Sequence, residues 1–424
     1  MRTRHVFATL LALILGIVVV GAAPGFSAEP ALSPSETLGK HLFFDENLSL
    51  NKNQSCATCH APETGWTSPD SEINAHGAVY EGSDETRFGD RKPPSSAYAT
   101  QSPLFSMDKK GVFSGGNFWD GRATGHTLGS PTAEQAQGPY TNPVEQALPD
   151  TACVVYRACT SAYADSVTGV WGDDTCRIDW PTDADATCSD PAATRLELSP
   201  DDRARVDASY DDFALSIAAY EGSSESNRFD SKFDLSKRGA AKLTQQERRG
   251  FSLFTGKGQC SACHTSQGQK ALFTDYTFDN LGVPKNPANP VYAYNPDFVD
   301  LGLGGHLAMR DDYARYADAN MGKHKVPTLR NVGLGASDDF VKAYGHNGYF
   351  KSLYGVVHFY NTRDVLPTCQ GDYTEAQALA AKCWPAPEVA DNMNTDELGD
   401  LGLSYDDEMA IVAFLETLSD GYTG

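Results

Sequence analysis

The chain has 424 residues, a length for two or three domains at the usual roughly 100–200 residues each, and its 40% hydrophobic content is enough to bury a core. A formal net charge of −22 argues against nucleic acid or an anionic lipid surface as partner and favours a basic protein drawn in by long-range attraction. Abundant glycine and proline (38 and 23 residues) predict many loops between short helices.

The chain opens with Arg2 and Arg4, an apolar run from Leu10 to Val20, and then small residues. This is the grammar of a secretory leader, residues 1–28, cut between Ala22 and Ala28. The run is shorter than the ~20 residues of a spanning helix, so a retained anchor is the alternative reading. No other segment is apolar enough to cross a membrane. Losing both arginines with the leader takes the charge to −24, and export predicts a periplasmic protein.

Next comes Leu38-Gly-Lys-His-Leu-Phe-Phe, followed by Cys56-Ala-Thr-Cys59-His60. The stretch from Asp150 to Pro200, rich in Asp, Ala, Thr and Cys, reads as a disulfide-pinned insertion. Residues 207–221 read as a helix, with Phe213, Ile217 and Tyr220 on one side. Thr244 with Glu247 forms a capping box. It opens a helix that carries Gly250-Phe-Ser-Leu-Phe and leads into Cys260-Ser-Ala-Cys263-His264. Ser404 with Asp407 repeats that capping signal before the last helix, Met409-Ala-Ile-Val-Ala-Phe-Leu. The two Cys-x-x-Cys-His motifs lie 204 residues apart and read as two copies of one unit, a short amphipathic helix entering the motif. No strand pattern is convincing, so the predicted class is mainly α.

Of ten cysteines, four sit in these motifs. Six remain, and an even remainder in an exported chain predicts three disulfides. Cys369 and Cys383, isolated near the C-terminus, should pair. Cys153, Cys159, Cys176 and Cys188 allow three connectivities, and the sequence does not choose among them.

Cys-x-x-Cys-His is the attachment motif of haem c. Two thiols two residues apart form thioethers with the two vinyl groups, and the adjacent histidine meets the iron from the proximal side. The sequence therefore predicts two covalent haems, held by Cys56, Cys59 and His60 and by Cys260, Cys263 and His264. The two motifs divide the chain into two candidate haem domains, residues 29–235 (with the insertion at about 150–200) and 236–424. What stands on the far side of each iron decides between closed electron transfer and an open site for peroxide or oxygen.

The chain resembles the bacterial di-haem cytochrome c peroxidases, including their MauG-like branch. The resemblance rests on both haem motifs, Phe118-Trp-Asp-Gly-Arg-Ala, Gln137-Gly-Pro with Asn142-Pro-Val-Glu, and Val326-Pro-Thr-Leu-Arg-Asn. It implies that each of the two domains is cytochrome c-like, and that the N-terminal haem is the peroxide site and the C-terminal haem the electron-transfer site. Glu145 takes the position of the family's distal glutamate. Peroxide cleavage needs a group that moves a proton from one oxygen to the other, and a carboxylate can do both steps. Gln135 and Pro139 match residues lining the same pocket, and Trp119 matches the tryptophan between the haems. Read without the resemblance, Glu145 is a solvated glutamate after a proline turn and Trp119 a core aromatic.

Tyr360, fourteen residues after His346, stands where the family places the distal ligand of the C-terminal haem. Other members have Met there; MauG-like members have Tyr, whose phenolate favours ferric and higher states. The rival ligands are His358, Met309 and Met321. His76, sixteen residues after His60, is either a distal ligand capping the N-terminal haem or a solvated loop histidine. Family members bind calcium between the domains, but here the matching position is Lys92, which cannot ligate it. Asp90 offers a carboxylate in another register, so calcium stays open. MauG has a surface Trp before its second motif for oxidising its protein substrate; Gly258 stands there in this chain, so the same substrate is not expected.

The resemblance thus implies a periplasmic di-haem peroxidase that reduces hydrogen peroxide with electrons from a small cytochrome or cupredoxin. The alternatives are a MauG-like oxidase of a protein side chain and a non-catalytic carrier with both irons closed.

Overall fold

The computed structural model describes residues 31–424, so the predicted leader lies outside them. Six helices carry the architecture: α1 (Pro34–Phe44), α2 (Pro131–Thr141), α3 (Pro200–Glu221), α4 (Gln245–Thr255), α5 (Leu353–Thr362) and α6 (Tyr405–Glu416). α1 starts on a capping box: Glu36 N–H donates to Ser33 Oγ, and Ser33 N–H donates back to Glu36 Oε2 at 2.6 Å. The predicted boxes at Thr244/Glu247 and Ser404/Asp407 are both formed. The helix expected over 207–221 begins earlier, at Pro200, because Ser199 caps it by accepting from Asp202 N–H.

Two equivalent helix crossings organise the chain. α1 packs on α3, and a Cβ on Gly39 would meet Ser216 O at 1.9 Å. α4 packs on α6, and a Cβ on Gly250 would meet Ala410 O at 1.8 Å. The glycine of each repeated phrase is therefore a packing requirement: only a residue without a Cβ lets two helix backbones approach so closely. Each crossing is followed by one Cys-x-x-Cys-His motif.

Around the first crossing Leu38, Leu42, Phe43, Val206, Phe213 and Ile217 are buried, with the insertion packed against them. Around the second are Phe254, Phe273, Ile411 and Phe414. A third cluster joins Phe350, Phe359 and Trp384 beside the Cys369–Cys383 disulfide. Val326-Pro-Thr-Leu-Arg-Asn supplies Arg330, whose fully buried guanidinium forks onto Asp234 with both contacts at 2.9 Å.

The insertion is three short helices, Thr151–Cys159, Ala164–Trp171 and Ala184–Thr187. Its disulfides are Cys153–Cys188 and Cys159–Cys176. Arg157 pins it to the core by donating to Asn47 O at 2.7 Å and braces it internally by donating to Cys188 O at 2.9 Å. The strands among the described residues are four two-residue pieces in two antiparallel pairs, so the class is mainly α. Leu32–Gly424 packs as one compact unit, and among the described residues no helix is long and apolar enough to cross a membrane.

Candidate functional site

Each Cys-x-x-Cys-His motif folds as one tight turn. His60 N–H donates to Cys56 O at 3.0 Å, and His264 N–H to Cys260 O at 2.9 Å. The chain then loops back so that a later carbonyl meets each imidazole: His60 Nδ1 lies 3.3 Å from Trp66 O, and His264 Nδ1 lies 2.8 Å from Phe273 O. A carbonyl only accepts, so Nδ1 carries the proton and Nε2 keeps its lone pair. Burial holds both rings neutral, pushing His60 down to about 4 and lowering His264.

Among the described cysteines, Cys56, Cys59, Cys260 and Cys263 alone are unpaired. Burial pushes Cys56, Cys260 and Cys263 up to about 12 and raises Cys59 as well. They stay protonated thiols, the form that adds S–H across a vinyl group. Two thiols and a neutral imidazole with a free lone pair, twice over, fit haem c.

His264, Cys260 and Cys263 line a largely apolar cavity with Leu281, Phe350 and Tyr360. Tyr360 comes from α5, and burial raises its phenol strongly, helped by the neighbouring Cys260 and Cys263. Its rivals are held elsewhere. His358 Nδ1 is 2.9 Å from Glu408 Oε1, Met309 is 80% exposed, and Met321 packs against the Phe105 cluster. None of the three lines this cavity.

His60 lines a second cavity with Phe118, Trp119, Gln135 and Glu221. Trp119 borders both cavities. It is held at two points, its indole N–H donating to Lys92 O and its carbonyl accepting from Lys325 N–H, each at 2.8 Å. Gln135 and Pro139 are one turn apart in α2, and Pro139, lacking an N–H, leaves the Gln135 carbonyl without its helical partner. Glu145 sits on the turn that follows, half-buried, with Asn142 Nδ2 donating to its Oε2 at 2.7 Å. Burial pushes its carboxyl up against the pull of Asn142 and Arg122, and its charge in turn raises Cys56 and Cys59. Glu145 is thus a neighbour of the first motif, and neither it nor Pro139 lines the cavity of His60.

The structure does not bring His76 to either cavity. Its side chain is 67% exposed, and Nδ1 lies 2.9 Å from Glu72 O, at the end of the short helix it terminates. Lys92 is buried with its ammonium donating to Thr67 Oγ1 and Pro93 O, both at 2.8 Å. Asp90 is exposed. An ammonium holding the local oxygens does not fit calcium at Lys92.

Several cavity residues escaped the sequence reading. Glu221 is 3% exposed and carries a carboxyl pushed by burial up to about 8. Tyr344 borders both cavities. Asp300, His324 and His346 converge within 4.8 Å at the edge of the His264 cavity. Only proximity to the recognised stretches, such as His324 two residues before Val326-Pro-Thr-Leu-Arg-Asn, could have marked them.

Residues 33–242 match the family model for the di-haem cytochrome c peroxidases. The methylamine utilization protein MauG of Paracoccus denitrificans is 34% identical over 414 residues, 96% of this chain and 94% of that protein. The cytochrome-c peroxidase IdrP2 of Denitromonas iodatirespirans is 26% identical, over 97% of this chain and 90% of its own. Among solved structures, the diheme peroxidase BthA of Burkholderia thailandensis superposes with a TM-score of 0.69 at 26% identity, covering 92% of this chain and 87% of that one.

Proposed function

The chain belongs to the di-haem cytochrome c peroxidase family, and on that premise we propose that it is a periplasmic peroxidase with one covalent haem in each cavity. The oxidoreductase class comes with the family. The division of labour is our reading: peroxide is handled at His60, and electrons enter at His264. The observation that carries it is Trp119, an indole that borders both cavities and is fixed at two hydrogen bonds.

Cys56 and Cys59 would hold one haem and Cys260 and Cys263 the other, with His60 and His264 as proximal ligands and Tyr360 as distal ligand of the second. When bound, the haems supply iron that accepts and passes on the two electrons peroxide needs for cleavage. The chain supplies the rest. Glu145, its carboxyl raised by burial, would move a proton from one peroxide oxygen to the other. Gln135 lines the cavity on that side, with Pro139 one turn further along α2. Trp119 offers a polarisable route between the cavities. His76, exposed and turned onto its own helix, is left out of the ligand set.

The acidic surface suits a basic donor, a small cytochrome or cupredoxin, and the three disulfides suit an oxidising compartment. A second reading is favoured by the identity to MauG and by Tyr360 in the second cavity: oxidation of a side chain on a protein partner. The test is peroxide consumption by the purified protein with and without reduced cytochrome c or cupredoxin. Turnover that requires the donor supports the peroxidase. Peroxide reduction that proceeds by oxidising an added protein supports the second reading. A protein whose spectrum ignores peroxide is a carrier, and both readings fall.

A further inference from the structure

The edge of the His264 cavity holds a buried cluster that the peroxidase reading does not use. His324 and His346 stack face to face, with ring centroids 3.5 Å apart and planes 8° off parallel. Asp300 Oδ2 lies 3.3 Å from His324 Nε2, and Glu388 Oε2 lies 3.7 Å from His346 Nε2. Arg91 forks onto Asp300 with two contacts of 2.7 Å and also reaches Asp120 at 2.6 Å. Both Nε2 atoms are buried without a hydrogen-bond partner, and His346 is 6% exposed. The Asp300–His324 pair is close enough for an ion pair yet lacks hydrogen-bond geometry.

The tautomer of His324 is fixed. Its Nδ1 lies 3.1 Å from Gly322 O, which only accepts, so a neutral His324 turns the lone pair of Nε2 towards Asp300. Arg91 grips both oxygens of Asp300 at 2.7 Å and holds it as a carboxylate despite burial. Burial, and then His346, push His324 down towards neutrality. A lone pair facing a carboxylate in a site closed to water gains from a positive charge placed between them. Two imidazoliums could not stack at 3.5 Å, but one proton on the pair can be held there.

This is also where the cavity offers donors. Of the indole, amide and amine nitrogens on its buried and half-buried lining residues, those of Trp119, Asn280, Asn394 and Lys325 already donate, to Lys92 O, Val389 O, Asp279 Oδ2 and Gly116 O. Nε2 of each stacked ring has no hydrogen-bond partner and donates once protonated, and a haem carries two propionate carboxylates that need donors. A shared metal ion fits less well: a metal lies in the plane of each imidazole it binds, and two parallel planes 3.5 Å apart do not intersect.

We infer that the His324–His346 pair seats a propionate of the haem at His264 and takes up one proton when that haem is reduced. The inference rests on the reading that this cavity holds haem. The step balances simply: one electron from the donor protein reduces the iron, one proton from water lands on the pair, and no other bond forms or breaks. Asp300 and Glu388 face the pair as acids, Arg91 is the cation on Asp300, and Lys325, whose amine burial pushes down to about 7, lines the same cavity.

The test is the midpoint potential of the His264 haem against pH, in dithionite titrations over about pH 5 to 8, where imidazoles exchange protons. The parent should show a potential that falls as pH rises, because the reduced state binds the extra proton. In His346→Asn and His324→Asn the covalent haem content should stay at the parent level and the slope should be lost. A potential independent of pH in the parent, or a slope that survives in both variants, overturns the inference. So does one equivalent of zinc, manganese or copper beyond the two irons in the parent that is absent from His346→Asn, since the cluster would then be a cation site. A parent without covalent haem at Cys260 and Cys263 overturns the peroxidase reading together with this one.

Discussion

Gly39 and Ser216 meet where α1 crosses α3, with no room between them: a methyl group on Gly39 would lie 1.9 Å from the Ser216 carbonyl oxygen. Alanine at a helical glycine normally gains up to about 1 kcal/mol in propensity. Here the obstacle is backbone on both sides and cannot rotate away, so overpacking at about 1–3 kcal/mol or more decides the sign. Gly39→Ala should lower the melting temperature, and Gly250→Ala, facing Ala410 O at 1.8 Å, should do the same. A matched control is Gly169→Ala, where a Cβ meets nothing within 4 Å; it should be neutral or slightly stabilising. Equal melting of all three variants would remove the close-packed crossings as the reason for the repeated glycine.

Glu221 predicts a pH dependence. It is 3% exposed, its Oε2 has no partner, and burial pushes its carboxyl up to about 8. An unfolded glutamate titrates near about 4.3. Between those values the unfolded chain has lost the proton that the folded chain keeps, so stability falls as pH rises, by about 1.4 kcal/mol per unit from this group. Glu221→Gln removes that slope. Parent and variant should melt alike at about pH 5, and the variant should melt higher at about pH 8. Parallel melting curves across that range would mean that Glu221 is charged in the fold.

Tyr360 can be tested against its rivals directly. It is the one candidate of the four that lines the cavity of His264. If it ligates the second haem, Tyr360→Phe should lose one low-spin ferric signal in electron paramagnetic resonance, and His358→Gln should not. His358 is occupied with Glu408 at 2.9 Å, so its variant should show a stability cost without a change of ligand field. Loss of the signal in His358→Gln and its survival in Tyr360→Phe would exchange their roles.

Much of this arrangement is local and therefore readable in sequence. A capping box is closed within three residues, and a Cys-x-x-Cys-His turn within five, so Thr244/Glu247 and both motifs could be named from the chain alone. The pairings Cys153–Cys188 and Cys159–Cys176 could not, since all three connectivities satisfy the same spacing and only the packing of the short helices selects one. The start of α3 was missed because the apolar stripe begins later than the cap: Ser199 and the acids Asp201 and Asp202 form a polar first turn. The cluster of Asp300, His324 and His346 was invisible for a different reason. Its members, and Arg91 more than 200 residues before Asp300, lie on separate segments and meet only in the folded chain.

Glu145 carries the sharpest expectation. Cleaving the O–O bond into two waters needs a proton on the departing oxygen, and the exposed His76 is not placed to give one. Glu145 has a carboxyl raised by burial, and Asn142 holds one of its oxygens at 2.7 Å. Its electrostatic influence on Cys56 and Cys59 puts it beside the first motif. Glu145→Gln keeps the size and the acceptor for Asn142 and removes the transferable proton. Haem content should stay at the parent level. Melting should change little near pH 5, and with the raised carboxyl gone it should become relatively higher as pH rises, by the same sign argument as at Glu221. The rate at which peroxide changes the Soret absorbance should fall by about 10²–10⁴-fold, the range of a lost general acid–base group. Gln135→Ala, which alters the pocket wall without removing a proton carrier, should cost less. A Glu145→Gln protein that reacts with peroxide as fast as the parent would move the acid–base role to another group, and the buried, protonated Glu221 on the wall of the same cavity would be the next residue to replace.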